Sequence, residues 1–348
     1  MANYDQFAAA VKELSGGKNV VLLDDLGLPS VYVQINKMKC SELLSGGSEN
    51  VHPAFMVDGV EKTRFLYSKY QNIVINGRAY SLAHRDPKVN VTFDTARQAC
   101  EAKGTGFHIS TFAEWAAIAL LSRKMGTMPH GNNNYGSDAS YSYEKGQESY
   151  ASGGKTCRTF TGTGPATWGH DHTQFGIQDL NGNVYEWNGG MRLNGGEIQI
   201  IPYNNAALGS ECDMSATSTL WKAILADGTL VDPGTDATLK YDYVSSKITL
   251  STEITSLQSS YVSTGYTSQA LASGLTAPEI VKALTLYPDE PGKDYGGDIR
   301  YVNQNGERVP VCGGRWDDSS GAGVFYVYLV RGRSDSYYDL GFRSAFVD

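Results

Sequence analysis

Residues 323–330, near the carboxyl end of the chain, alternate two kinds of side chain in the way typical of a β-strand. The run consists of two interleaved sets: Phe325, Val327 and Leu329, and Tyr326, Tyr328 and Val330. Successive side chains of a strand point to opposite faces. One set can therefore pack in a core while the other is free to vary, and we expect Tyr326, Tyr328 and Val330 on the free face.

The composition indicates a globular protein with much loop surface. The 348 residues can form one large domain or two modest ones, with 41% hydrophobic and 19% charged residues. The 39 glycines and 22 tyrosines indicate many turns, and tyrosine is typical of recognition surfaces because its face is large, rigid and amphipathic. A net charge of −8 argues against nucleic acid as a partner.

Neither a membrane span nor an export signal is expected. The first residues lack a basic and an apolar stretch, and no apolar run approaches the ~18 residues of a spanning helix. We therefore expect synthesis in a cytoplasm without a signal peptide, with later association with a virion left open. The five scattered cysteines, which form no CxxC motif, indicate reduced thiols rather than disulfides.

The amino-terminal part of the chain predicts a small separate element. Apolar spacing predicts a helix over residues 4–15, and strands are expected at 20–23 and 31–35. The stretch from Ser45 to Ser48 has the composition of a linker. We therefore place a small amino-terminal element at residues 1–50 and the main body at 51–348.

The main body contains two helix starts with clear capping signals. Thr92 predicts the N-cap of one helix. The sequence from Thr111 to Glu114 is a capping box that opens a second helix, which ends at Gly126 and is apolar nearly all round, so we expect it to be buried. A third helix is expected with a cap over residues 276–279.

Three segments, in order, resemble one known scaffold. Ile109 to Ala117 resembles the helix entry, and Gly176 to Trp187 the "GNVWEW" segment, of the formylglycine-generating-enzyme (sulfatase-modifying-factor) branch of C-type-lectin folds. Gly313-Gly-Arg-Trp316 and Gly341-Phe-Arg343 resemble its closing strands. The resemblance implies an α+β, C-type-lectin-like fold over residues 51–348, with an insertion at about 193–300.

The sequence departs from that branch where its oxidase chemistry resides. The family's oxidase uses a pair of redox-active cysteines near the closing strands, which bind copper. Here only Cys312 lies in that region, and the next cysteine upstream is Cys212. A soft-metal site or thiol–disulfide chemistry needs a second thiolate. We therefore expect no enzyme and no catalytic residue, with a formylglycine-generating-enzyme-like oxidase kept as an alternative.

The closing segment, about residues 313–347, also resembles the variable region of proteins diversified by phage and bacterial retroelements. Their frame is GGxWxxxxxAGVFxLxLxxxRSxSxxxxGFR. In that family, randomised asparagine codons at x give many residue types but never Lys, Glu, Gln, Met or Trp. Fourteen of the x positions are taken here as variable, and they contain none of those five types: Arg315, Asp317, Asp318, Ser319, Ser320, Gly321, Tyr326, Tyr328, Val330, Arg331, Asp335, Tyr337, Tyr338 and Asp339.

The resemblance implies a binder whose ligand is a protein or other macromolecule on a cell surface. Contact would be dominated by the tyrosines at x positions, with Arg315 and Arg331 as charged anchors. The family implies a phage or prophage origin. Display on a virion would favour homo-oligomers, because avidity multiplies weak single-site affinity.

Metal sites are the remaining alternatives. Trp316-Asp317-Asp318 superficially resembles the "WND" motif of calcium-dependent sugar lectins, but the EPN or QPD partner tripeptide is absent. No metal and no cofactor is therefore expected, with a structural calcium left open. Its oxygen ligands would come from Asp179, Asn181, Asn183 and Glu186, and the alternative is a turn whose Asn side chains bond the backbone. His170 and His172 fit either a metal site or a hydrogen-bonded loop.

Overall fold

The structure is a computed structural model that describes residues 4–348. This part of the chain contains five α-helices: α1 (Tyr4–Leu14), α2 (Cys40–Leu43), α3 (Phe93–Glu101), α4 (Phe112–Met125) and α5 (Glu279–Ala283). It also contains short 3-10 helices at Pro53–Phe55, Ala166–Trp168, Asn205–Glu211, Tyr266–Ser268 and Ser319–Gly321.

Strands make up most of the regular structure. Those of the first half are β1 (Asn19–Leu23), β2 (Pro29–Asn36), β3 (Met56–Val57), β4 (Val60–Glu61), β5 (Arg64–Ser68), β6 (Ile73–Ile75), β7 (Arg78–Tyr80), β8 (Phe107–Ile109), β9 (Glu148–Ser152) and β10 (Lys155–Thr159). Next come β11 (Tyr185–Trp187), β12 (Met191–Asn194), β13 (Glu197–Ile200), β14 (Lys222–Ile224), β15 (Leu230–Val231), β16 (Lys240–Val244), β17 (Lys247–Ser251), β18 (Val262–Gly265) and β19 (Ala270–Leu271). The last are β20 (Ile299–Val302), β21 (Glu307–Arg308), β22 (Val311–Gly313), β23 (Gly323–Leu329), β24 (Leu340–Phe342) and β25 (Ser344–Phe346).

These elements form a mixed α+β fold of several sheets with few helices, which confirms the predicted class. One sheet has the order β1-β2-β5-β25-β8. A second has the order β18-β20-β23-β22-β11-β24, and the largest is built around β15-β14-β13-β16-β17-β19. The C-type-lectin-like family of folds and its formylglycine-generating-enzyme branch remain predictions. Within residues 4–348, no helix has the length and apolar composition needed to cross a membrane.

The first sheet contains strands from both ends of the chain. The predicted amino-terminal helix and two strands are present as α1, β1 and β2. β2 pairs with β5, with Tyr32 opposite Ser68, and β25 near the carboxyl terminus pairs with both β5 and β8. The sheet therefore runs across residue 50, and a domain boundary there remains a prediction.

Helix α4 lies in the centre of the molecule, as predicted. Thr111 Oγ1 accepts a hydrogen bond from the Glu114 amide at 3.1 Å, and the Glu114 carboxylate accepts one from the Thr111 amide at 3.0 Å. Gly126 ends the helix with a φ of 71°. The Trp115 indole donates to the carbonyl of Val324 at 2.7 Å, which fixes β23 against the helix.

The other two helix predictions have different outcomes. Thr92 is the N-cap of α3, as predicted, and accepts from the Thr95 amide. The prediction of a cap over residues 276–279 is wrong, because α5 begins at Glu279 behind Pro278 and has no side-chain cap. Glu279 instead accepts hydrogen bonds from the backbone amide and hydroxyl of Ser48, both at 2.6 Å.

The region predicted as an insertion reaches the closing strands. Most of it forms the largest sheet, but β18 and β20 lie in the second sheet beside β23. β20 runs parallel to β23 with Tyr301 opposite Tyr328, and β18 pairs antiparallel with β20. β20 thus lies directly beside the predicted variable strand, with β18 one strand further out.

Candidate ligand-binding surface

Strand β23 has one face in the core, as its alternation predicts. Phe325, Val327 and Leu329 are fully buried, while Tyr328 and Val330 on the other side are half-buried. The expectation of an exposed side chain is wrong for Tyr326, which is only 1% exposed. Two aromatic rings from other strands cover it.

Five tyrosines form a continuous cluster on this outer face, named here the tyrosine cluster. Its members are Tyr185, Tyr261, Tyr301, Tyr326 and Tyr328. Tyr326 stacks on Tyr185 with ring centroids 5.8 Å apart and packs against Tyr301 at 5.6 Å. The hydroxyls of Tyr185 and Tyr326 are hydrogen-bonded at 3.1 Å. Tyr328 stacks on Tyr185 at 5.7 Å and contacts Tyr301 at 5.1 Å, so the rings pack as one unit.

The fourteen variable positions of the frame differ in their exposure. Four are exposed, namely Ser319, Ser320, Tyr337 and Tyr338. Seven are half-buried, namely Arg315, Asp317, Asp318, Tyr328, Val330, Arg331 and Asp335. Three are buried, namely Gly321, Tyr326 and Asp339. The eleven that reach solvent are called the variable surface below.

Two of the fourteen variable positions have local steric constraints. A Cβ atom at Gly321 would lie 2.7 Å from the Ile299 side chain, so a larger residue there must displace its neighbour. Ser319 has a φ of 57°, in the left-handed region that Asn, Asp and Gly adopt more readily than other residues. Position 321 therefore favours a small residue because of its neighbour, and the backbone at position 319 favours Asn, Asp or Gly.

Arg315 is held by carboxylates within the protein. Its Nε atom lies 2.6 Å from Asp317, its guanidinium also pairs with Asp339, and its amide donates to Asp318 at 3.0 Å. Burial lowers the pKa of Arg315, but the neighbouring Tyr185 and these acidic groups raise it overall. Both aspartates of the WND-like stretch thus lie against Arg315, and the predicted anchor role of this arginine would require it to exchange partners.

Arg331 has a different environment. Its guanidinium lies 4.0 Å from the ring centroid of Tyr337 and 5.4 Å from that of Tyr328, at distances typical of cation–π contacts. Its Nε atom has no hydrogen-bond partner among the described residues. Arg331 is therefore a cation that is oriented by aromatic rings and forms no ion pair among the described residues.

The residues between the variable positions hold the backbone. Trp316, Val324, Phe325, Leu329 and Phe342, which occupy fixed apolar positions of the frame, are all buried.

Arg333, a fixed position of the frame, anchors the loop that follows β23. It pairs with Glu307 and Asp94, each at 2.8 Å, and donates to the carbonyl of Met214 at 2.9 Å. The loop is thus fixed to the body at its start, beside positions predicted to vary.

Two of the three segments that carry the scaffold resemblance meet in the interior. Arg343 Nε lies 2.6 Å from Glu186, and both side chains are almost fully buried. Arg343 also donates to the carbonyls of Gln178 and Asp179 at 2.6 and 2.9 Å. The pairing brings β11 and β24 into parallel register, with Trp187 opposite Phe342.

The residues considered for a structural calcium are engaged elsewhere. Glu186 pairs with Arg343, and Asn183 accepts from the Thr159 amide at 2.8 Å. Asn181 donates to a backbone carbonyl at 2.9 Å, and Asp179 accepts from a backbone amide at 2.8 Å. The segment is thus the hydrogen-bonded turn of the alternative. Within residues 4–348, no group of three or more His, Cys, Asp or Glu side chains is placed to hold a metal.

The histidine pair also forms a hydrogen-bonded loop. His170 Nδ1 accepts from the Ile177 amide at 2.9 Å, and His172 Nε2 donates to the Met128 carbonyl at 2.9 Å. Burial lowers the pKa of His170 to about 4, so its imidazole is neutral at neutral pH.

The environment of Cys312 does not favour a thiolate. All five cysteines are buried and unpaired. Cys312 is fully buried in β22, and burial raises the pKa of its thiol well above the usual value. Reactive cysteines are accessible and have a lowered pKa.

Three members of the tyrosine cluster lie outside the predicted site. Tyr185 belongs to the "GNVYEW" segment, whereas Tyr261 and Tyr301 come from the region of the insertion or directly follow it. No local pattern marks them as surface residues. Only the register of β18, β20 and β23 brings them together.

Comparison with known proteins gives distant likenesses only. No family model matches the chain, and no curated protein matches it. Among solved structures, it is similar to Treponema denticola variable protein 1 (TM-score 0.35, 13% identity, 95% of this chain and 99% of that one). It is also similar to PvdO from Pseudomonas aeruginosa (0.34, 15%, 94% and 98%) and to the P3c variant of Major Tropism Determinant (0.30, 9%, 94% and 71%). At these TM-scores, no conclusion about function rests on the likeness.

Proposed function

We propose that this chain is a ligand-binding protein, not an enzyme, whose carboxyl-terminal surface is diversified by a retroelement. One observation carries the proposal: in the closing segment, burial separates most variable positions of the frame from its fixed apolar positions. Eleven of its fourteen variable positions reach solvent, and the apolar positions between them are buried. A binding surface can change without loss of the fold only when variable and core positions are separate.

The ligand would be a protein or other macromolecule on a cell surface. Tyr337 and Tyr338 are 41% and 50% exposed, and Arg331 contacts the rings of Tyr337 and Tyr328. Aromatic and arginine side chains supply most of the binding energy of many protein interfaces. The frame further supports a C-type-lectin-like scaffold of phage or prophage origin, displayed on a virion as an oligomer.

The source genome provides the test of diversification. We expect a near-copy of the nucleotides that encode residues 313–347, differing from them only where the copy has adenine, beside a reverse transcriptase gene. Deep sequencing of the gene in a growing population should find substitutions confined to the fourteen variable codons. Substitutions spread evenly over the closing segment would contradict the proposal.

The two alternatives have direct tests of their own. Copper bound by the purified chain, together with cysteine-dependent turnover of a sulfatase peptide, would replace the proposal with an oxidase. Binding on a glycan array that EDTA abolishes would replace it with a calcium-dependent lectin.

A further inference from the structure

We propose that Tyr261 and Tyr301 form a constant half of the ligand-binding surface, joined edge to edge with the variable half. This inference rests on the proposed function and gives the region of the insertion a role in it. The partner we infer is a folded protein that presents a carboxylate beside an apolar side chain.

The first argument is the packing of the tyrosine cluster. The ring centroid of Tyr261 lies 6.1 Å from that of the variable Tyr328 and 6.0 Å from that of the constant Tyr301. Tyr301 lies opposite Tyr328 in the parallel register of β20 and β23. A ligand that touches Tyr328 therefore lies within reach of both constant rings.

The second argument is the gradient of exposure across the cluster. Tyr326 is 1% exposed, Tyr328 and Tyr301 are half-buried, and Tyr261 is 50% exposed. The buried rings hold the outer ones in place, and a rigid aromatic side chain loses little conformational entropy when it binds. Tyr261 is thus a preorganised ring at the edge of the variable surface.

The third argument concerns the charge of the partner. Arg331 lies against Tyr328 and Tyr337, its side chain is half-buried, and it forms no ion pair with a carboxylate among the described residues. Arginine binds carboxylates through paired N–H groups. On such a partner, the acidic side chain would contact Arg331 while the apolar side chain next to it contacts the ring of Tyr261 or Tyr328.

The test is a display library on the full chain. Arg331 and the tyrosine cluster are kept, and the other solvent-reaching variable positions are randomised. The library is selected against β-lactoglobulin, an acidic globular protein. In the recovered clones we expect Tyr261→Ala to weaken binding at least tenfold and Tyr261→Phe to keep most of it, because the ring makes the contact. Arg331→Gln should also weaken binding, most strongly at low salt.

The matched control is Tyr203, which is 52% exposed and lies outside the cluster. Tyr203→Asn suits its φ of 57° and should change the affinity less than twofold. Clones that bind but tolerate Tyr261→Ala would overturn the constant half and leave the proposed function standing. Clones that tolerate Arg331→Gln would overturn the acidic partner. A library that yields no binders at all would overturn the proposed function as well.

Discussion

At the scale of single residues, Tyr326 is a variable position with the burial of a core residue. Replacing it with Ser, a type that the frame permits, removes a ring packed between Tyr185 and Tyr301 and the hydroxyl bond to Tyr185. We expect Tyr326→Ser to lower the free energy of unfolding by about 3 kcal/mol, since truncating a buried aromatic leaves a cavity. Urea denaturation measures this value.

The matched variant for that experiment is Tyr337→Ser. Tyr337 is 41% exposed, so the same change should cost less than about 1 kcal/mol. Equal losses at both positions would show that Tyr326 is not packed as described.

Glu186 and Arg343 offer a second prediction at this scale. Glu186→Gln keeps the shape of the side chain but leaves the buried guanidinium of Arg343 without a counter-charge. We expect a loss of about 3–5 kcal/mol in the free energy of unfolding, because removal of one partner strands a buried charge. Chemical denaturation at neutral pH checks it.

An exposed ion pair provides the comparison. Lys37 and Glu61 lie 2.9 Å apart with side chains 39% and 52% exposed. Glu61→Gln should cost less than about 1 kcal/mol, because solvent screens the pair. A loss from Glu186→Gln as small as this would contradict the role of the buried pair.

Sequence patterns predict the environment of a residue when its neighbours lie close to it in the chain. They do not predict it when those neighbours are distant in sequence. The caps at Thr92 and Thr111 were predictable because their partners lie three residues away. The burial of Tyr326 was not, because it depends on rings 25 and 141 positions distant, at Tyr301 and Tyr185. The prediction of a cap over residues 276–279 is wrong for the same reason, since Glu279 bonds instead to Ser48, far away in the chain.

At the scale of elements, His52 joins the 3-10 helix at Pro53–Phe55 to α5. Its Nδ1 atom accepts from the Ala54 amide at 3.2 Å, and Nε2 donates to the Ala283 carbonyl at 2.8 Å. Burial lowers the pKa of His52 to about 4, although the nearby Ala283 carbonyl and Glu279 act to raise it. Only the neutral imidazole can make both bonds.

The stability of the protein should therefore depend on pH through this residue. The unfolded chain takes up the His52 proton near pH 6.5, so the contribution is complete above that pH and is lost as the pH falls towards 4. Between pH 7.5 and 5, we expect the wild type to lose about 2 kcal/mol more than His52→Gln. Urea denaturation at the two pH values tests this. Equal losses in both proteins would contradict it.

At the scale of the whole molecule, the first sheet connects residues 1–50 to the rest of the chain. Lys103 is fully buried and donates to Tyr32 and Ser30, both on β2, at 2.6 and 3.1 Å. Burial lowers the pKa of Lys103 to about 7. Without β2, this amine would lose both partners and β5 would lose one of its two neighbouring strands.

We therefore expect a chain of residues 51–348 to aggregate or to melt without a cooperative transition. The control is a chain of residues 15–348, which lacks only α1, a helix with no buried side chain. It should melt cooperatively at nearly the temperature of the full chain. Circular dichroism melts and size-exclusion chromatography measure both. A stable, monomeric 51–348 chain would instead support the predicted boundary at residue 50.

The fold class was accessible from sequence, because short motifs such as Gly176 to Trp187 determine local turns and strands. The order of the second sheet was not. No rule of spacing places β18 and β20 beside β23, since that arrangement depends on long-range pairing.

The burial of Gly321, Tyr326 and Asp339 has a consequence for evolution under the proposed function. A mutagenic copying step acts on the nucleic acid and does not depend on protein folding, so it would change these positions as often as the exposed ones. Many of the resulting alleles would encode chains that misfold before they meet a ligand. The repertoire of usable specificities would then be smaller than the repertoire of encoded sequences, and surviving lineages should show restricted residue types at these three positions.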